Sequence, residues 1–376
     1  MLPSLGLGGA ERQAFLLAQY LRQEERADVR IVAMSRHAAR TDSWDEAGLP
    51  YEFFDMRHAY RSRLGHAQDL LRFTFLLRRR RPQIVLPYCM FQNVLGGLTW
   101  RAAGARVCIW NQRDEGRSRL DRWIERLAVS QIRRFISNSH HGADFLTQRL
   151  HVRPDKISVV ANGVEFPPAT AACGGWRRRL GLPADAFLAC MVANLHSKKD
   201  HATLVAAWRL VVDRCPPGIS PHLVLAGSFG DRYEALRQQV STLSLEKHVH
   251  FLGEVREVGD LLADVDLAVF SSFSEGVPNA VLEAMAQGLA VVATDYEGIR
   301  EAVGPEGAAL LAPPRDPAHF AEKVLMVAAD VPLRACLGAR ARDRVTELFG
   351  VGRMAAETAS VIAAEWFRAS SSRLQF

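Results

Sequence analysis

Short, continuous apolar runs alternate along the chain with longer segments whose apolar residues recur at helical spacing. The runs Val29–Met34, Tyr51–Asp55, Gln83–Tyr88, Val107–Asn111, Phe135–Asn138 and Ile157–Val160 predict six strands in the first half. Phe187–Asn194, His222–Gly227, Val249–Leu252, Leu267–Ser271 and Ala290–Thr294 predict five more in the second. They are rich in Val, Ile and Leu, as strands buried on both faces of a parallel sheet must be. Repetition of strand and helix then implies α/β layers.

The alternation breaks at EFPPATAACGGWRRRLGLP (165–183), where paired Pro and paired Gly mark a linker, with a hinge expected near Pro167–Gly175. At 376 residues the chain exceeds one ordinary core. The expected division is 1–166 and 176–350, two doubly wound domains, followed by 351–376, a helix and tail without a strand partner that packs back on the first domain. Ligands of such sheets bind beyond the carboxyl ends of the strands. With two facing domains, the expected site is the cleft between them.

Composition narrows the classes. Hydrophobic content of 48% and charged content of 23% fit an ordinary globular protein. No apolar run nears the roughly 20 residues of a membrane-spanning helix, and MLPSLGLGGAER does not read as a secretion signal. The expected location is cytoplasmic. The six cysteines are scattered without a CxxC pair, which predicts reduced thiols and no structural metal. Net charge is uneven, +9 over residues 1–165 and −3 over the rest. A basic first half suits an anionic partner. Nucleic acid is not expected, because no helix-turn-helix, zinc-finger or RNP-like pattern occurs. RSRLDRWIERLAVSQIRR (117–134) interleaves Arg with Trp123, Ile124 and Leu127. It reads as an amphipathic helix that packs on the sheet or lies on an anionic membrane surface. Arg78–Arg81 reads as a solvated helix end.

SEGVPNAVLEAMAQG (274–288) places two carboxylates around a loop and a helix start. Asn279 is a suitable N-cap and Gly288 a suitable stop. A capping box would put its acid at Leu282, so capping does not explain Glu283. First-turn amides favour a phosphate. About 6 Å along the axis from the cap, Glu283 is placed to accept from two ribose hydroxyls. Glu275, on the preceding loop, is placed for hydroxyls of a sugar. A buried Glu bonded to backbone or to Arg is the competing reading.

This stretch resembles the E-x7-E element of the family-four retaining glycosyltransferases with the GT-B fold. GGAER (8–12), SNSHHGADFL (137–146), VVANGVEF (159–166), VANLHSKKDHATLVAAW (192–208) and LVLAGSFGDRYEAL (223–236) follow in the family's order, so the likeness spans nearly the whole chain. It implies an α/β fold of two Rossmann-like domains facing a cleft. It implies a nucleotide-diphosphate sugar as co-substrate, with no other cofactor and no metal. In that resemblance Glu283 binds ribose, Glu275 touches the donor sugar, and backbone around Gly276, Val277, Pro278 and Asn279 serves sugar and phosphates. Lys199 matches the family's diphosphate lysine; with Glu275 it is the expected catalytic group. Gly8, Gly9, Asn194, Lys198 and Gly227 complete the expected donor contacts. Asn111, Arg113 and Asp114 fall in the loop facing donor sugar and acceptor, where Arg113 suits an acceptor phosphate and Asp114 a hydroxyl; an internal Arg–Asp pair is the other reading. His140 and His141 read as local capping, and His196 lies near the lysines.

The implied activity is retaining transfer to a hydroxyl of a glycan or lipid-linked glycan. A nucleotide-sugar epimerase or phosphorylase on the same fold and a non-catalytic sugar-nucleotide binder are the alternatives. A nicotinamide dehydrogenase is disfavoured because Gly6-Leu7-Gly8-Gly9 is not a GxGxxG. Three departures from the pattern stand out. Asn194 occupies a position where many relatives carry Arg, and Asn cannot neutralise a phosphate. The loop after Val107–Asn111 has no His. Relatives carry residues before the equivalent of Pro3 that form a central strand, so this strand is expected to be truncated, from a start placed too far downstream.

Overall fold

A computed structural model describes residues 1–6, 8–36, 41–56, 63–113, 122–166, 175–273 and 275–371. The chain divides into two compact units, residues 1–163 with 351–376, and residues 164–350. The chain thus passes between units at 163/164 and again at 350/351; most of the expected hinge, 167–174, lies outside the described residues.

In the first unit the order is α1 (Gly9–Gln23), β1 (Ile31–Ala33), α2 (Asp42–Glu46), β2 (Tyr51–Phe53), α3 (Arg63–Arg80), β3 (Ile84–Val85), α4 (Met90–Thr99), β4 (Val107–Gln112), α5 (Arg122–Ser130), β5 (Arg134–Ser137), α6 (His140–Leu150) and β6 (Ile157–Val159). The strands are parallel, in groups β2-β1 and β3-β4-β5-β6. Met1 and Leu2 lie between the groups. Leu2 N–H donates to Val32 O at 2.9 Å and Met34 N–H to Leu2 O at 3.0 Å. On the other side the Met1 amine donates to Leu86 O at 2.8 Å, and Tyr88 N–H to Met1 O at 3.0 Å. Two residues therefore join the groups where a central strand would run.

Strand β4 shows why this sheet holds. All six residues are buried, and their side chains alternate between faces. Val107 and Ile109 enter a cluster with Leu17 of α1, while Cys108 and Trp110 enter another with Met90 of α4 and Leu146 of α6. Caps are local: Ser139 Oγ accepts from Gly142 N–H at 3.0 Å to start α6, so neither His140 nor His141 is the cap. The helix expected over 117–134 runs to Ser130 and then turns, and Arg134 already belongs to β5; residues 117–121 lie outside the described residues.

The second unit contains α7 (Gly175–Arg179), β7 (Phe187–Val192), α8 (His201–Arg214), β8 (Pro221–Ala226), α9 (Tyr233–Thr242), β9 (Val249–Gly253), α10 (Val258–Ala263), β10 (Leu267–Phe270), α11 (Asn279–Ala286), β11 (Val291–Thr294), α12 (Glu297–Gly307), β12 (Leu311–Ala312), α13 (Pro317–Ala329) and α14 (Val331–Leu348). Its parallel sheet runs β12-β11-β10-β7-β8-β9. Counted from β7, this is the 3-2-1-4-5-6 order of a doubly wound nucleotide-binding sheet. Leu188, Val224, Val292, Trp208 and Phe320 are fully buried at its centre.

After α14 the chain returns to the first unit as α15 (Val351–Ser371), which packs on α1 as expected. Met354, Ala355 and Ile362 join the Leu17 cluster. Arg106 clasps the end of α15, stacking on Trp366 at 4.2 Å and donating to Ser370 Oγ at 2.9 Å. Among the described residues no helix is long and apolar enough to cross a membrane.

Candidate active site

In the second unit the strand order reverses between β7 and β10, so the loops leaving their carboxyl ends diverge and leave a crevice. These two loops carry the candidate residues. They are stitched together: Asp200 N–H donates to Ser271 O at 3.1 Å and Phe273 N–H to Lys198 O at 3.4 Å. Asp200 also caps α8, accepting from Thr203 N–H at 3.2 Å. That cap fixes where the helix begins and hence where Lys199 projects.

Lys198 points to solvent, whereas Lys199 turns inward. Its Nζ lies over the Phe270 ring at 4.6 Å and pairs with Glu275 Oε1. Ser272 Oγ donates to the same carboxylate oxygen at 2.9 Å. Lys199 and Glu275 are 17% and 20% exposed, enough to meet a ligand yet dry enough for their charges to act strongly. Residues 76 apart in sequence thus form one ion pair at the switch point.

The loop after β10 reaches α11 through Gly276, Val277 and Pro278. The N-cap is Pro278, with extended backbone and no side-chain cap bond, rather than Asn279, which is the first helical residue. This corrects the expected cap by one position. Proline fits because its fixed φ of −76° suits the turn into the helix. In its first turn Val281 N–H and Leu282 N–H donate to Pro278 O at 3.1 and 3.3 Å, and the aligned peptide dipoles leave partial positive charge at this end of the helix. Glu283 is half-buried at the fifth helical position, between buried Leu282 and Ala284. Gly288, at φ +79°, ends the helix as expected.

Two glycines shape this site by close approach. A Cβ at Gly227 would lie 2.1 Å from Ala193 O, so only glycine lets the loop after β8 press against the loop after β7. There Asn194 Oδ1 accepts from Ser228 N–H at 3.1 Å, joining the same two loops. A Cβ at Gly298, on the first turn of α12, would lie 2.0 Å from Gly276 O and 2.6 Å from Glu275 O. Gly298 was not among the expected site residues. Its only sequence signal is a glycine just after the run that becomes β11. His196 Nδ1 accepts from Lys198 N–H at 3.2 Å; burial, then the Lys199 and Lys198 charges, hold its pKa below the ordinary value.

The carboxyl ends of the first unit's strands gather a second group. Gly8 precedes α1 and Gly9 opens it. Glu11 is buried and folds back beneath them, accepting from Ser4 Oγ at 3.0 Å, and a Cβ at Gly8 would collide with its carboxylate. Asn111 is buried, its main chain bracketed by Asn93: Asn93 Nδ2 donates to Asn111 O at 2.8 Å, and Asn111 N–H to Asn93 Oδ1 at 3.1 Å. Arg113 donates to Asn162 Oδ1 at 2.9 Å and lies over the Tyr88 ring at 5.1 Å. Among the described residues Arg113 Nε and Tyr88 Oη are buried without partners. Burial pushes the Tyr88 phenol up, with Arg113 opposing. Asp114 lies outside the described residues. Asn93, Asn162 and Tyr88 were not singled out in the sequence, since only folding brings them to Arg113.

Two family models match the chain: "Glycosyltransferase Family 4" over residues 7–166 and "Glycosyl transferases group 1" over 186–330. Among curated relatives, the UDP-Gal:alpha-D-GlcNAc-diphosphoundecaprenol alpha-1,3-galactosyltransferase of Escherichia coli is 25% identical over 61% of this chain and 62% of its own length. A D-inositol 3-phosphate glycosyltransferase of Streptomyces avermitilis is 29% identical over 63% of this chain and 53% of its own. The match thus spans under two thirds of either relative. Among solved structures, Anabaena Alr3699/HepE in complex with UDP-glucose superposes with a TM-score of 0.82 over 96% of this chain and 98% of that one, at 21% identity.

Proposed function

The chain belongs to glycosyltransferase family 4 and has the GT-B fold, and from that premise we propose that it is a retaining glycosyltransferase. It moves a sugar from a nucleotide-diphosphate sugar to a hydroxyl of a glycan or lipid-linked glycan. The observation that carries this reading is the Lys199–Glu275 pair at the switch point of the second unit, beside a helix start. Donor diphosphate and donor sugar are adjacent groups. An ammonium suited to one and a carboxylate suited to the other, already in contact, mark the bond between them.

In this reading the opening amides of α11 and Lys199 receive the diphosphate, Glu283 accepts from the ribose hydroxyls, and Glu275 accepts from hydroxyls of the sugar. The acceptor hydroxyl attacks the anomeric carbon on the face the diphosphate leaves. As that bond breaks, charge grows on the leaving phosphate. Lys199 stabilises it, and the phosphate oxygen takes the acceptor proton. Asn194 adds no charge; its side chain ties two loops, so the cation at the phosphate is Lys199, with exposed Lys198 next to it.

The relatives named above act, by their names, on acceptors bearing a diphosphate or a phosphate. Arg113, whose Nε is buried without a partner, suits such an anionic group on this chain's acceptor. The workplace is the cytoplasm, at an anionic membrane surface when the acceptor is lipid-linked.

The test is a panel of nucleotide sugars incubated with prenyl-diphosphate-linked N-acetylglucosamine or inositol phosphate. Acceptor-dependent release of nucleoside diphosphate, with the anomeric configuration kept in the product, is expected. Interconversion of the nucleotide sugar without acceptor would instead establish an epimerase. Binding without any turnover would leave a non-catalytic binder.

A further inference from the structure

We propose that His196 is a donor-binding residue whose neutral imidazole donates its Nε2–H to the diphosphate of the nucleotide sugar. The tautomer follows from one contact. Lys198 N–H lies 3.2 Å from His196 Nδ1. A backbone N–H can only donate, so Nδ1 holds a lone pair and the proton of the neutral ring sits on Nε2. Protonating Nδ1 would break that bond and set two N–H groups face to face. Burial resists the charged ring as well, and so do the ammonium of Lys199, foremost among the nearby charges, and that of Lys198; the carboxylate of Asp231 opposes them. Among the described residues nothing accepts from Nε2, and the half-buried ring leaves it within reach of a ligand.

The ring is held for this purpose from both sides. Leu195 N–H donates to Ser228 O at 3.0 Å and Arg232 N–H to Leu195 O at 3.2 Å. Ser197 N–H donates to Asp231 Oδ1 at 3.1 Å, and Lys199 N–H to His196 O at 3.0 Å. A Cβ at Gly230 would lie 3.3 Å from His196 Cβ, so the loop after β8 backs the residue directly. The same turn therefore fixes the imidazole and the inward ammonium that meets Glu275. An N–H donor between two ammoniums calls for an anion with oxygens to spare, as a diphosphate has. The need arises from Asn194. It stands where many relatives carry Arg, and its Oδ1 is occupied by Ser228 N–H. The imidazole restores a hydrogen-bond donor without a third positive charge, which the two lysines would repel.

This inference rests on the donor site proposed above and adds a residue to it. Calorimetric titration of UDP, GDP and ADP into the wild type, His196→Asn and His196→Gln separates ligand contact from loop shape. Asn keeps an acceptor for Lys198 N–H and has nothing at the place of Nε2; Gln puts an N–H donor there. His196→Asn should bind the nucleoside diphosphate at least tenfold more weakly with Tm unchanged, and His196→Gln should recover most of the loss. With 15N-histidine in the wild type, the His196 signals should report the Nε2–H tautomer, and the Nε2 signal should move on adding the nucleoside diphosphate that binds. Wild-type affinity in His196→Asn, an Nδ1–H tautomer, or an Nε2 signal unmoved at saturation overturns the proposal while leaving the donor site standing. No binding of any nucleoside diphosphate to the wild type overturns both.

Discussion

Gly298→Ala tests whether the loop bearing Glu275 is held to fine tolerance. Gly298 has no left-handed backbone that would demand glycine; the demand is spatial. A methyl there would sit 2.0 Å from Gly276 O, and contacts under 3.0 Å are not sustained, so the carbonyl must retreat by about 1 Å. Gly276 follows Glu275 directly, and the displaced segment leads into Pro278 and α11. A misplacement of about 1 Å at a reacting centre costs about 100-fold in rate, or about 2.7 kcal/mol of barrier. The overpacking itself costs about 1–3 kcal/mol of stability, which lowers Tm by roughly 2–4 °C per kcal/mol in a unit of this size. Initial rates over a range of nucleotide sugar, with Tm from the same preparation, separate the two effects. The expected variant is folded, a few degrees less stable and about 100-fold lower in kcat/KM. Wild-type kinetics with an unchanged Tm would refute the claim that this contact sets the position of Glu275.

Lys199→Ala should lower kcat by about 10²–10³, the usual loss for one preorganised group at developing charge, and steady-state rates at saturating donor check it. Arg113→Ala should raise KM for a phosphate-bearing acceptor at least tenfold and leave KM for donor nearly unchanged, as two-substrate kinetics will reveal. Stability should fall as pH drops from about 6.5 towards 4. Burial, then the Lys199 charge, holds His201 at about 4; burial, then the His250 and His248 rings, holds His222 at about 4. Unfolded histidine titrates near 6.5, so between these values the unfolded chain binds more protons and gains from acid. Urea midpoints at successive pH values should track this, with a shallower slope in His222→Gln.

Much of the fold could be read from the chain because its strands are parallel and most of them are buried. Such strands announce themselves as unbroken Val, Ile and Leu runs, and all eleven expected runs contain strands. The strand missed, β12, has two residues, Leu311 and Ala312, too few to make a pattern. At the site, residue types were legible but their partnerships were not. Lys199 and Glu275 were each singled out, yet their contact depends on β7 lying beside β10, which no local pattern encodes. The cap of α11 was misplaced by one residue because Asn279 has the better capping side chain, whereas Pro278 has the backbone that the turn needs. Gly298 escaped notice because its reason is a neighbour 22 positions away. Around Arg113, Tyr88 and Asn162 arrive from the ends of other strands and add no signal near it.

The central claim is that the carboxyl ends of β7 and β10, with the start of α11, hold a nucleoside diphosphate whose ribose reaches Glu283. Calorimetric titration of UDP, GDP and ADP into the wild type and Glu283→Ala tests it most directly. One of these nucleotides should bind the wild type with a stoichiometry of about one and bind the variant at least tenfold more weakly. Equal affinity in both proteins, or no binding of any nucleoside diphosphate or nucleotide sugar to the wild type, would contradict it.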